Sequence, residues 1–148
     1  MSDGHGHPDG HGHGGHAHDL RHLAGDAQPE VFAATATLQF GAPTAQAAVE
    51  AAVTAFLARL GSALAAAGCV LVGHVKGVLT CDGDELEFSL TRLDGDPRFG
   101  GALPGTVRDV ELTLNVIVFG VDADALPGLV TGAWADGDPS VAWRSRAG

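Results

Sequence analysis

A chain of 148 residues with 45% hydrophobic residues is long enough for one domain of ordinary size and apolar enough to give it a core. Its formal net charge is −10, with 18 acidic residues set against one lysine, Lys76, and seven arginines. That balance excludes a nucleic-acid partner as the working expectation, because phosphate recognition needs a Lys/Arg surface.

Residues 1–28 differ from all that follows. Seven of the eight histidines lie there, His5, His7, His11, His13, His16, His18 and His22, separated by Gly, Asp, Pro and Ala. Such a segment buries too little apolar surface to offset the entropy of ordering, so a disordered tail is expected, followed by a single α+β domain over 29–148. Leu20 and Leu23, flanking Arg21 and His22, could form a short amphipathic turn against the body. The start of the chain lacks the basic n-region and apolar h-region of a signal peptide, which points to a cytoplasmic protein.

From Glu30 to Phe40, Thr35, Thr37 and Gln39 alternate with Ala36, Leu38 and Phe40, a strand pattern with one polar face. Gly41-Ala-Pro43 ends it, and Thr44 is placed to cap a helix. Over Ala45–Ala67 the spacing of Val49, Val53, Phe56, Leu57, Leu60 and Leu64 predicts an amphipathic helix, stopped by Gly68. Glu50 and Arg59 interrupt it, so no membrane span is expected.

Cys69–Cys81 reads as a long strand, Asp82-Gly83 as a tight turn, and Glu85–Leu93 as the returning strand of a hairpin. Twelve residues at about 3.3 Å each would hold Cys69 and Cys81 roughly 40 Å apart, so two free thiols are expected. The glycines, prolines and aspartates of 94–105 predict a loop. Asp109–Val121 is a strand with Leu112, Leu114, Val116 and Val118 on one face and Glu111, Thr113, Asn115, Ile117 and Phe119 on the other. A short helix from Ala123 to about Ala135 follows, and Ser140–Arg144 is either an edge strand or a tail. The economical architecture is a mainly antiparallel sheet with two helices packed on one face, in one version ferredoxin-like with an extra strand.

Two groups of residues could carry chemistry. The tail has three HxH units, His5-Gly6-His7, His11-Gly12-His13 and His16-Ala17-His18, with Asp3, Asp9 and Asp19 close by. Neutral imidazoles on flexible spacers suit nickel, cobalt or zinc as exchangeable sites, and the spacing matches no closed structural zinc site. In the body, His74 and Lys76 of Gly73-His74-Val75-Lys76-Gly77 project from the same side of a strand. They could bind an anionic ligand or pair with Asn115 or Glu111 on a neighbouring strand. Asp82-Gly-Asp84 and Asp94-Gly-Asp96 lack the further ligands of a calcium loop and are read as turns.

The His/Asp/Gly tail, together with the GHVKG segment after a long helix, resembles nickel and cobalt metallochaperones of the CobW, UreG and HypB group. The GTPase motifs of that group are absent, so the resemblance implies an accessory protein without nucleotide hydrolysis. Its partner would be a metallochaperone GTPase or a metalloenzyme client. The expected function is therefore capture of a divalent transition metal, more a binding role than an enzymatic one. The alternatives are a small enzyme or ligand-binding domain around His74 and Lys76, and a scaffold that forms a homo-oligomer.

Overall fold

The computed structural model describes residues 28–134 and 138–145. Its elements are β1 (Pro29–Thr44), α1 (Gln46–Ala66), β2 (Leu71–Cys81), β3 (Asp84–Leu90), β4 (Arg98–Gly101), β5 (Val107–Phe119), α2 (Leu126–Ala133) and β6 (Ser140–Ser145). The strands form one open antiparallel sheet in the order β4-β3-β2-β5-β1-β6. The expected α+β class is therefore found. Since β1 and β2 both run antiparallel to β5, which lies between them, the β1–α1–β2 connection crosses over an intervening strand.

The period-two pattern sorts side chains between two faces of the sheet. Ala34, Ala36, Leu38 and Phe40 of β1, Leu86, Phe88 and Leu90 of β3, and Val110, Leu112, Leu114, Val116 and Val118 of β5 are buried in one core. The α1 stripe of Val49, Val53, Phe56, Leu57, Leu60 and Leu64 joins the same core. Each fully buried Leu or Phe contributes about 1.5–3 kcal/mol through removal of its surface from water. By length and composition α1 could cross a membrane. Here its large apolar residues are buried in that core, while Ala47, Ala48, Ala51, Ala55 and Ala58 are exposed.

The short α2 follows a turn in which the Asp122 carbonyl accepts the N–H groups of Ala125 and Leu126. It packs beside α1 through stacking of Trp134 on Phe56, ring centroids 4.3 Å apart, and through the bond donated by Arg59 Nε to the Ala133 carbonyl. The interior among the described residues contains no buried polar or charged residue.

Several boundaries differ from the sequence expectation. Thr44 does not cap α1: it belongs to β1, and its hydroxyl donates to the Ala42 carbonyl. The stretch read as loop contains a strand, β4, whose Phe99 pairs in register with Phe88. Gly101 ends β4 at φ 93°, where a Cβ would overlap the Glu85 carbonyl, so glycine is required there. The hairpin turn is Asp82-Gly83, both at positive φ (50° and 84°), the conformation a two-residue turn between twisted strands needs. Ser140–Ser145 is an edge strand on β1.

Candidate functional site

Among the described residues the helices leave the other face of the sheet uncovered, and His74, Lys76, Asn115 and Glu111 all lie on it. The register of β2 against β5 shifts between Val72 and His74, a bulge at Gly73. Because of this extra residue, Val72 and Val75 both turn into the core while His74, Lys76, Val78 and Thr80 line the open face. His74 stands opposite Ile117, Lys76 opposite Asn115 and Thr80 opposite Glu111.

Lys76 and Asn115 are thus cross-strand partners, with Cβ atoms about 5 Å apart as for any directly opposed pair. The side-chain oxygen of Asn115 is buried and has no hydrogen-bond partner among the described residues. His74 is one row away and half-buried. Glu111 does not pair with Lys76. It accepts a bond from the Thr37 hydroxyl (3.3 Å) and forms an ion pair with Arg144 of the edge strand β6.

The row through Lys76 continues outward to Ser89 on β3 and Arg98 on β4. Around it the strands curve into a hollow of about 460 Å³ lined by Lys76, Val78, Glu87, Ser89, Arg98 and Gly100, with backbone of the intervening residues as its floor. Neither cation makes an ion pair with a described residue. Ser89 and Arg98 were missed by sequence reasoning. The alternation of β3 does place Ser89 on the polar face, but Arg98 sits among loop-forming residues and carries no signal of its own.

The opposite end of the open face is acidic. Thr37, Thr80, Cys81, Asp82, Asp109 and Glu111 surround a smaller hollow there. The Cys81 thiol is pushed above its ordinary range, first by desolvation and then by the carboxylates of Asp82, Asp84 and Asp109, which disfavour a neighbouring thiolate. Cys69 and Cys81 are both free, as expected, with Cys69 just before β2 and Cys81 at its far end.

No group of three or more His, Cys, Asp or Glu side chains is placed to hold a metal ion among the described residues. The seven tail histidines, His5 to His22, lie outside the described residues. What the structure does fix is the point of attachment. Pro29 stands opposite Phe119 and Val31 opposite Ile117, so residue 28 enters at the end of the sheet that carries His74.

Comparison with known protein families, with characterised proteins and with solved structures finds no match to this chain.

Proposed function

We propose that this chain is a cytoplasmic metal-binding accessory protein, a metallochaperone in the chemical sense, that captures nickel, cobalt or zinc through His5, His7, His11, His13, His16, His18 and His22. One observation carries the reading: seven of the eight histidines fall within residues 5–22, six of them as HxH pairs. Imidazoles at that density, with Asp3, Asp9 and Asp19 as oxygen donors, make a multidentate ligand of low geometric definition, suited to capture and release. A GTPase or metalloenzyme client would take the ion onward, as the resemblance to the CobW, UreG and HypB group implies. The body would serve as the folded carrier. Its β6-β1-β5-β2 order, with the helical connections β1–α1–β2 and β5–α2–β6, supports a ferredoxin-like reading extended by the β3–β4 hairpin.

Calorimetric titration of the full chain with Ni²⁺, Co²⁺ and Zn²⁺ tests this against a variant with all seven tail histidines changed to Gln. Most bound metal should be lost in the variant, and equal stoichiometry would end the proposal. Binding should also weaken as pH falls through the histidine range near about 6.5, because protonated imidazole does not ligate.

The hollow around Lys76 favours a second reading, a ligand-binding domain for a small anion such as a carboxylate or phosphate. Lys76 and Arg98, which make no ion pair among the described residues, line it together with the Ser89 hydroxyl and Glu87. Titration with inorganic phosphate and with succinate, followed by NMR, would find saturable shifts at Lys76, Ser89 and Arg98. A Cβ at Gly100 meets nothing within 4 Å, so Gly100→Val can narrow the hollow without straining the strand and should weaken binding. Absence of saturation with either anion discards this reading.

A further inference from the structure

We propose that the free edge of β4 pairs with the same edge of a second copy of this chain, antiparallel and in register at Phe99, with Arg98 of each copy set against Glu87 of the other. The product is a two-fold dimer in which one sheet runs through both copies. This goes beyond the readings above and depends on neither of them.

The backbone defines the edge. Strand β4 is the last of the sheet, so one side of it has no partner among the described residues. Such an edge is a template for another strand. It is limited at both ends: Pro97 before it has no N–H to offer, and Gly101, at φ 93°, ends it. The usable stretch is Arg98-Phe99-Gly100.

The faces then select the register. A slip by one residue would set core-facing side chains against solvent-facing ones, so like must oppose like. The antiparallel self-registers that meet this condition centre on Arg98, Phe99 or Gly100. Centring on Arg98 opposes two arginines and sets Phe99 against Pro97. Centring on Gly100 sets Arg98 against Ala102, beyond the end of the strand. Centring on Phe99 pairs the whole stretch, Arg98 with Gly100 on either side of the axis.

That register joins charges which a single copy leaves unpaired. On the open face Gly100 stands opposite Glu87, and Arg98 opposite Ser89. Pairing of the edges continues the row from Glu87 across Gly100 to the partner's Arg98, two strand spacings or about 10 Å away. An extended glutamate and arginine close that span between them. Gly100 leaves the path clear, because it has no side chain and even a Cβ there meets nothing within 4 Å. The partner's guanidinium enters the hollow described above, which Glu87 and Gly100 line. Glu87 and Arg98 are both exposed, and neither makes an ion pair among the described residues. The two-fold axis repeats the contact, so one acid and one base per copy satisfy each other across the interface. On the covered face Phe99, half-buried with its ring 6.3 Å from that of Phe88, meets its own copy as an aromatic cross-strand pair. The opposite edge offers no such match: the one charged residue of β6, Arg144, is already joined to Glu111.

Sedimentation equilibrium of the full chain in EDTA, which removes any bridging by metal, tests the pairing. The chain should pass from monomer to dimer as its concentration rises. In NMR over the same range, the amide signals of Arg98, Phe99 and Gly100 should shift while those of β6 stay in place. Glu87→Arg and Arg98→Glu should each raise the dimer dissociation constant by about tenfold or more, because each sets like charges against one another. The double variant Glu87→Arg/Arg98→Glu should restore dimerisation, a recovery that damage to the fold would not give.

A monomer at every concentration overturns the proposal, as does a dimer seen only without EDTA. Shifts at β6 in place of β4 overturn it too. Single variants that dimerise as well as the unaltered chain, or a double variant that fails to recover, remove the ion pairs that define the register and sink the proposal with them.

Discussion

The two faces of the sheet are built from the same strands and differ in almost every other respect. On the covered face, Leu38, Leu79, Leu86, Leu112, Leu114 and Val116 pack beneath α1 with essentially no exposure. On the other face, the alternate residues of the same strands carry Thr35, Thr37, Thr80, Ser89, Thr113 and most of the charge. One face therefore holds the fold together, and the other is free to vary without unfolding it. The open face is also graded along the strands. It runs from an apolar end at the tail entry, through Lys76, Ser89 and Arg98 in the middle, to a carboxylate-rich end around Cys81.

That division makes its sharpest prediction on β5, where neighbours point in opposite directions. Leu112→Ala, on the covered face, should cost about 2–5 kcal/mol in urea unfolding, from lost burial and the cavity left behind. Thr113→Ala, one residue on, should change stability by no more than about 0.5 kcal/mol. Similar costs at both positions would erase the distinction between the faces.

A smaller effect is expected from the ion pair that ties β5 to β6 across β1. Glu111 and Arg144 keep 43% and 56% of their side-chain surfaces exposed, so the pair is screened by solvent. Arg144→Gln should cost about 0–1 kcal/mol, with the difference shrinking in high salt. A larger, salt-independent loss would mean that the open face carries structural load.

The least perturbing test is chemical. Desolvation first, and then the carboxylates around it, hold the Cys81 thiol protonated to higher pH than usual, so at mildly alkaline pH it should react with iodoacetamide more slowly than an unperturbed thiol. Its rate should rise only at higher pH, as the raised pKa is approached from below. Asp82→Asn removes the neighbouring charge and should bring the onset down in pH. An unchanged profile would show that the acidic end exerts no field on the thiol.

Much of this organisation could be read from the residues themselves. Alternation in Thr35–Phe40 and Glu111–Phe119 assigns each side chain a face, and the three-and-four spacing from Val49 to Leu64 assigns the α1 stripe. The Asp82-Gly83 turn fixes the hairpin because few other sequences take positive φ at both positions. Short elements were less legible. β4 has one large apolar residue, Phe99, between Arg98 and two glycines, and its identity as a strand comes from pairing with β3 rather than from any local preference.

The candidate site divides in the same way. His74 and Lys76 are marked by their rarity in the body, and Asn115 could be guessed as a neighbour. Choosing Asn115 over Glu111 required the β2–β5 register, and bringing Arg98 into the row required β4 to exist. Rows across a sheet are non-local facts. They join residues dozens of positions apart through backbone pairing that no window of sequence contains.

By itself, then, the sequence determined which residues are apolar, on which side of each element they lie, and where the histidines are concentrated. Those are local properties, set by side-chain chemistry and by the 3.6- and 2-residue periods of helix and strand. Tertiary structure alone decided the strand order, the bulge that turns the His74–Lys76 side of β2 to the open face, and the arrival of the chain's first described residues at the same end of the sheet as the last histidine. These depend on how the elements pair and pack as a whole, where burial of one continuous core selects a single register.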